Sequence, residues 1–271
     1  MIRHAPSASI VPLIYRKDQR RPELFRLASE CPGLQVWLAP RNTRRLQKVI
    51  LRFAVLAGLH KISYHRVHPR LQRLVRGSLH ITLERFFSAW EFLHTKMNPD
   101  DVLMISDGRD VLLQADPFNQ VGNRLVTGQE EQSIRACPTN FGWICDLYGK
   151  DVAQSLSLKP VLCSGVSLGR REMMRSYLSA MTQEIWRLFP RIGLRGYFDQ
   201  AVHNWVIHGL GYPAEATPSG KGLIATLGLM PPSYIAWDEP RAAVRVFGKF
   251  PSIVHQYDRH PSLTEKIVVR S

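Results

Sequence analysis

The sequence has no apolar run approaching the ~18 to 20 residues that a bilayer-spanning helix requires. Its opening, Met1-Ile2-Arg3-His4-Ala5-Pro6, has none of the continuous apolar stretch of a secretory signal. These two absences lead to the expectation of a cytoplasmic chain, or of one peripheral to the cytosolic face of a membrane. Cys31, Cys137, Cys145 and Cys163 form no C-x-x-C pair and have no zinc-like spacing, so they are expected to be reduced and structural. Internal repeats and low-complexity segments are also absent. With 45% apolar and 21% charged residues, disorder is excluded on composition, and 271 residues suffice for a sizeable core.

Acidic residues are missing from one long stretch, with none between Glu30 and Glu84. The formal charge of +14 is therefore local. Residues 1–96 hold 18 Lys and Arg against 5 Asp and Glu, a balance of +13; residues 97–271 hold 18 against 17, a balance of +1. Such a block attracts an anionic partner near one segment and is not a property of the whole fold. Within it, residues 41–59 place Leu46, Val49, Ile50, Phe53 and Ala57 on one helical face. Arg41, Arg44, Arg45, Lys48 and Arg52 follow the other. This pattern fits a helix packed on the domain with a solvated basic face, or an anionic membrane surface engaged through residues 41–76. No recognisable nucleic-acid motif accompanies it, which leaves polyanion or nucleic-acid binding as the third reading. His60, His65, His68 and His80 are too irregularly spaced to suggest a metal site.

What is present is an alternation of strand and helix patterns. Strands are expected at 10–15, 34–38, 101–106, 160–163 and 252–254, and helices at 22–30, 41–59, 83–94, 170–189 and 198–209. Gly- and Pro-rich loops are expected from 212 to 240. The alternation predicts an α/β fold with a mostly parallel central sheet flanked by helices. Residues 1–271 are read as one domain containing the basic, partly amphipathic segment 41–80.

Asp107-Gly108-Arg109-Asp110 follows the apolar strand pattern Val102-Leu103-Met104-Ile105-Ser106. Ligands of open α/β sheets bind at the carboxyl ends of strands. Two carboxylates converging around Gly108 would suit a hard divalent cation. Asp-Gly is also an ordinary turn signal, so the pair alone says little.

The surrounding run continues as Val111-Leu112-Leu113-Gln114-Ala115-Asp116-Pro117-Phe118. It is followed in order by Glu130-Glu131, by Cys163 to Gly169, by Asp199-Gln200-Ala201-Val202-His203-Asn204 and by His255-Gln256-Tyr257-Asp258-Arg259. Together these blocks resemble a group of GT-A-type, nucleotide-sugar-dependent glycosyltransferases, distantly glycogenin-like, over about residues 84 to 263. The resemblance implies a Rossmann-related fold and transfer of a hexose from a nucleotide-sugar to a glycan or lipid-linked acceptor, with Mn²⁺ or Mg²⁺. It implies metal ligation by Asp107, Asp110 and His255, with Asp107 alternatively on the ribose. It further implies donor contacts from Arg109, Ser164, Gly165 and Gln200, and a catalytic or sugar-positioning Asp199. The Asp-x-x-Asp spacing differs from the commoner Asp-x-Asp and leaves the division of labour between the two carboxylates open.

A rival reading uses the same residues. Gly165-Val166-Ser167-Leu168-Gly169 matches the G-x-S-x-G of a nucleophile elbow, and Asp199 or Asp238 followed by His255 would complete a hydrolase triad. His203 and His208 carry no assignment. The tryptophans are expected in the core, with Trp143 and Trp237 as alternative stacking partners for a sugar.

Overall fold

The computed structural model describes residues 8–13, 34–36, 53, 57–192 and 198–268. The helix expected at 22–30, and that at 41–59 apart from Phe53 and residues 57–59, lie outside these residues. So does most of the basic block.

Strand β1 (Ala8–Leu13) pairs in parallel with β2 (Leu34–Val36) and with β3 (Val102–Asp107). Between them in sequence come α1 (Pro69–Ser78) and α2 (Ile81–Lys96). After β3 follow β4 (Val111–Leu113), β5 (Leu125–Ser133), α3 (Pro138–Tyr148), α4 (Lys150–Ser155) and β6 (Pro160–Arg170). Next are α5 (Arg171–Arg187), α6 (Phe189–Ile192), α7 (Asp199–Asn204) and β7 (Ala214–Pro218). The chain closes with β8 (Ile224–Thr226), β9 (Ile235–Asp238), β10 (Ala243–Val246), β11 (Ile253–His255) and α8 (Pro261–Val268).

The central sheet has the order β2-β1-β3-β6-β5-β7. All its pairings are parallel except the two made by β6, which runs against both β3 and β5. The expected mostly parallel sheet is thus present, with one reversed strand in its middle. Strand β3 reads as a continuous apolar run because both its faces are covered. Leu103 and Ile105 join a core with α2 and α5, through residues such as Phe86, Phe87, Tyr177 and Met181. Val102 and Met104 point the other way, onto Val111, Leu113, Ile224 and Ile253. Those residues belong to a second, three-stranded sheet of order β4-β11-β8. The period of two in a strand thus feeds two cores from one segment.

Several expectations are corrected. The strand read at 160–163 runs on to Arg170. The segment 60–76, which shows no clear hydrophobic period, leads into α1 (Pro69–Ser78), whose first-turn Pro69 and basic residues mask the pattern of Val75 and Leu71. Region 212–240 contains β7, β8 and β9, short strands set between Gly and Pro turns. The helix expected at 198–209 ends at Asn204 and continues as a π-type turn, Trp205–Gly209. No helix among the described residues is long and apolar enough to cross a membrane.

Helix α7 docks on β6 by polar contacts. The Asn204 side chain accepts from the Leu162 N–H at 2.9 Å and donates to its carbonyl at 2.8 Å, acting as an extra strand rung. The buried His203 ring meets Tyr177 Oη at 2.8 Å on Nδ1 and Thr127 Oγ1 at 3.0 Å on Nε2. Burial, aided by the Arg85 charge, pushes its pKa down to about 3. The unfolded chain regains an ordinary histidine, with a pKa of about 6.5. The neutral ring therefore stabilises the fold fully above about pH 6.5, and this contribution is lost as pH falls toward 3, at up to ~1.4 kcal/mol per pH unit. Urea unfolding between pH 7 and pH 4.5 checks this. His203→Gln should flatten the pH dependence, and an unchanged slope would show that His203 does not carry it.

Candidate active site

Strand β3 delivers Asp107 to the carboxyl end of the central sheet, and the chain then turns into β4. This turn is pinned by residues far away in sequence. Strand β11 pairs antiparallel with β4, setting His255 opposite Val111. The Gln256 N–H donates to the Asp110 carbonyl at 2.8 Å, and the Tyr257 hydroxyl donates to the Arg109 carbonyl at 2.9 Å. Gln256 makes its bond from a left-handed backbone, φ 59°, which is uncommon for a residue with a side chain. Arg109 itself extends outward and lies 3.5 Å from Asp258. The His255-Gln-Tyr-Asp-Arg block is therefore the clamp on the Asp107–Asp110 turn.

Asp107, Asp110 and His255 each present a ligand atom, and these atoms lie within 4.8 Å of one another. His255 Nε2 stands 3.3 Å from Asp107 Oδ2 and 3.8 Å from Asp110 Oδ2. Two carboxylate oxygens and an imidazole nitrogen form a group that could hold a divalent metal ion. Space for this cluster depends on Gly165. A Cβ there would lie 2.2 Å from His255 Cε1, 2.5 Å from its Nε2 and 2.8 Å from Asp107 Oδ2.

Gly165 reaches that position through an irregularity in β6. On the β5 side, Thr127 pairs with Ser167 but Gly128 pairs with Cys163, so Ser164-Gly165-Val166 bulge out of that ladder. Bulges re-aim side chains beside active sites. Here the bulge turns Ser164 toward Asp199 and brings bare backbone to the acidic turn. Ser167 stays in the regular ladder, opposite Ile105 and Thr127, and β6 continues beyond it. The nucleophile elbow is thus not formed. His255 Nδ1 lies 3.5 Å from Cys163 Sγ, and Asp238 pairs with Arg245 on the β9–β10 hairpin. The hydrolase reading fails because its serine sits inside a strand, not on the sharp turn the chemistry needs.

The residue missing from the sequence reading is Arg85. It sits on α2 among apolar residues, its side chain only 2% exposed. Nη1 donates to Asp107 Oδ1 at 2.5 Å, and Nη2 donates to Asp199 Oδ2 at 2.7 Å and to the Ser164 carbonyl at 2.9 Å. Ser164 Oγ adds a bond to Asp199 Oδ2 at 2.8 Å. Arg85 therefore consumes Oδ1 of Asp107 and leaves Oδ2 facing His255. The sole available signal was one arginine preceding Phe86-Phe87 inside an apolar helix.

The charges respond to this packing. Burial raises the Asp107 carboxyl, but Arg85 and His255 outweigh it and hold Asp107 below the usual carboxylate range. Burial dominates at Asp110 and raises it. Burial also raises Asp199 against the opposing pull of Arg85 and Ser164. His255 is lowered by burial, yet Cys163 and the two acids lift it well above an ordinary histidine. Gln200, expected as a donor contact, is held by side chains of the fold. Its amide donates to Glu130 Oε1 at 2.9 Å and to Asn140 Oδ1 at 3.0 Å. Of the acidic pair, Glu130 is buried and Glu131 is exposed. Trp143 and Trp237 pack against core clusters.

Three substitutions test this architecture. Arg85→Met strands two carboxylates without their cation and should destabilise the protein by ~3–5 kcal/mol. Arg85→Lys should recover part of that loss, because one ammonium cannot reproduce the fork geometry. Gly165→Ala should abolish Mn²⁺ binding in calorimetry by filling the space between His255 and Asp107. Undiminished Mn²⁺ affinity in Gly165→Ala would show that the triad is not the site.

No family model and no curated protein matches this sequence. Among solved structures, one similar to this chain is that of a glycosyltransferase involved in the glycosylation of the major capsid of PBCV-1. The likeness covers 97% of this chain and 100% of that one, at 11% identity and a TM-score of 0.45.

Proposed function

We propose that the chain is a metal-dependent GT-A-type glycosyltransferase, moving a hexose from a nucleotide-diphosphate sugar to a glycan or lipid-linked acceptor. The observation that carries this reading is the joining of two acid groups by one buried arginine. Asp107, in the Asp107–Asp110–His255 set, and Asp199 share Arg85 at the carboxyl end of the sheet. Hydrolytic metal sites also use carboxylates and histidine. A separate buried carboxylate, held beside the metal set but not in it, fits a reaction with a sugar between the two.

Asp107 Oδ2, Asp110 and His255 Nε2 would hold Mn²⁺ or Mg²⁺. When bound, the cation offsets negative charge on the departing nucleoside diphosphate. Arg109, largely exposed at the rim, is free to swing from Asp258 toward a phosphate. Arg85 keeps Asp107 and Asp199 at a fixed separation, so neither acid spends binding energy on being oriented. Asp199, tied by Arg85 and Ser164, presents its remaining carboxylate oxygen to the sugar as the catalytic or positioning group. Gly165, bare of a side chain, leaves the room in which His255 and Asp107 converge beside the donor. Gln200, braced by Glu130 and Asn140, backs the sugar pocket through Glu130. The basic segment 41–76 would bring the enzyme to an anionic membrane bearing the acceptor, which fits a peripheral, cytosolic-face location and polysaccharide biosynthesis.

Thermal shift with Mn²⁺ and a panel of nucleoside diphosphates tests the assignment. A ligand at a hundredfold excess over its Kd stabilises the folded state by ~2.7 kcal/mol, a rise of several degrees in Tm. The shift should require both metal and nucleotide, vanish with EDTA and be absent in Asp110→Ala. Donor turnover, followed as release of nucleoside diphosphate from nucleotide-sugars, should be lost in Asp199→Asn while the shift persists. A wild-type protein that shifts with no nucleoside diphosphate would rule the transferase out.

A further inference from the structure

Away from the acidic cluster, the β9–β10 hairpin and the strand end beside it build an aromatic surface with no part in metal binding. Phe247 and Gly248 form a two-residue turn, closed by Val246 N–H to Lys249 carbonyl at 2.8 Å and by Lys249 N–H to Val246 carbonyl at 3.0 Å. Both residues have positive φ, 49° and 75°. A hairpin turn of this kind favours Asn-Gly, and a bulky residue in its first position is disfavoured. Phe247 occupies that position nonetheless. Its ring stacks on Tyr234, with centroids 4.6 Å apart and planes 30° apart, and its N–H donates to the Tyr234 carbonyl at 2.9 Å.

A second position is adapted to the same ring. Gly220, at φ 76°, lies against the Cβ–Cγ–Cδ2 edge of that ring, and a Cβ there would stand 2.5 Å from Phe247 Cδ2. Two backbone positions are thus adapted to one phenyl ring. The rings remain open to solvent even so, Tyr234 at 48% and Phe247 at 45% exposure. An aromatic placed only for packing would be covered. Strained conformations that persist in a fold point to a use for the group they hold.

The place of this pair supplies the use. Ser219, next to Gly220, bonds through Oγ to both the N–H and the carbonyl of Thr226, at 3.0 and 3.3 Å. Thr226 is the register partner of His255 in the parallel β8–β11 ladder. Gly220 and the ring beside it therefore lie at the same end of the small sheet as the metal ligand. The hairpin is fixed to that sheet by Gln114, whose amide bonds the carbonyls of Val244 and Pro251 at 3.0 and 2.9 Å. Lys221 and Lys249, both exposed, follow Gly220 and the Phe247–Gly248 turn in sequence.

We propose that Tyr234 and Phe247 form a stacking platform for a pyranose ring of a glycan acceptor, leading it toward Asp199 and the metal set. This rests on the transferase reading and adds the acceptor's chemical class. A pyranose presents a face of C–H groups that an aromatic ring covers without desolvating the hydroxyls at its edge. Two stacked rings at that end of the small sheet give such a face a rigid seat at low entropic cost.

The turn chemistry provides a test that separates this role from a structural one. Phe247→Asn installs the residue the turn prefers, so the thermal midpoint should hold or rise. Binding to a printed array of pyranose-containing oligosaccharides should fall about tenfold, the worth of one good aromatic stacking contact. Tyr234→Ser should weaken the same array signals. Loss of thermal stability in Phe247→Asn with array binding intact would overturn the proposal, as would a wild-type protein that binds no oligosaccharide on the array. Retention instead on single-stranded DNA or anionic vesicles, lost in both variants, would also overturn it. The Mn²⁺–nucleotide shift of the wild-type protein reports separately on the transferase. Array binding that depends on Phe247 without that shift would keep the platform and remove the transferase.

Discussion

The arrangement depends first on one buried guanidinium. Asp107, Asp110 and Asp199 are three carboxylates in a confined, largely desolvated space. Three acids so placed would repel each other strongly in a low dielectric. Arg85 resolves part of this by bonding one oxygen of Asp107 and one of Asp199, while a backbone carbonyl occupies a further donor. Asp110 stays outside its reach, paired only with the His255 ring. The cluster therefore keeps an excess of negative charge on the side of Asp110 and His255, opposite the arginine. Both groups are displaced upward, Asp110 by burial and His255, against burial, by Cys163 and the neighbouring acids.

Around this charge balance, the two sheets divide the work. The central sheet supplies Asp107 from β3 and the Ser164–Gly165 bulge from β6, and α7 carries Asp199 against that bulge. The small sheet supplies His255 and, through Gln256 and Tyr257, the bonds that hold the acidic turn closed. Gln114 ties β4 to the β9–β10 hairpin. The blocks that stand out in the sequence are thus contact points between layers and not isolated site residues.

That explains what could be read without coordinates. The Asp107 turn was legible because a doubly buried strand is a continuous apolar run, and the turn residues after it are unambiguous. His255 and Asp199 were legible only through ordered blocks, since neither has a local signal of its own. Arg85 was not legible, because a lone arginine in an apolar helix reads as a side chain reaching outward for water. The G-x-S-x-G reading failed for a related reason. Five residues do not distinguish a turn from an eleven-residue strand bulged at Gly165, and the bulge is set by register with β5, not by local propensity. The strands from β7 to β10 were hidden by the Gly and Pro residues that separate them. Gln200 illustrates the opposite case, a block residue whose amide is spent on Glu130 and Asn140.

The pairing of His255 with Val111 has a temporal side. A ribosome releases Asp107 and Asp110 more than a hundred residues before the strand that closes their turn, so the acids emerge without their clamp. Until β11 inserts between β4 and β8, the turn lacks both its backbone bonds and its imidazole. The geometry of the acidic turn is consequently complete only once β11 is in place.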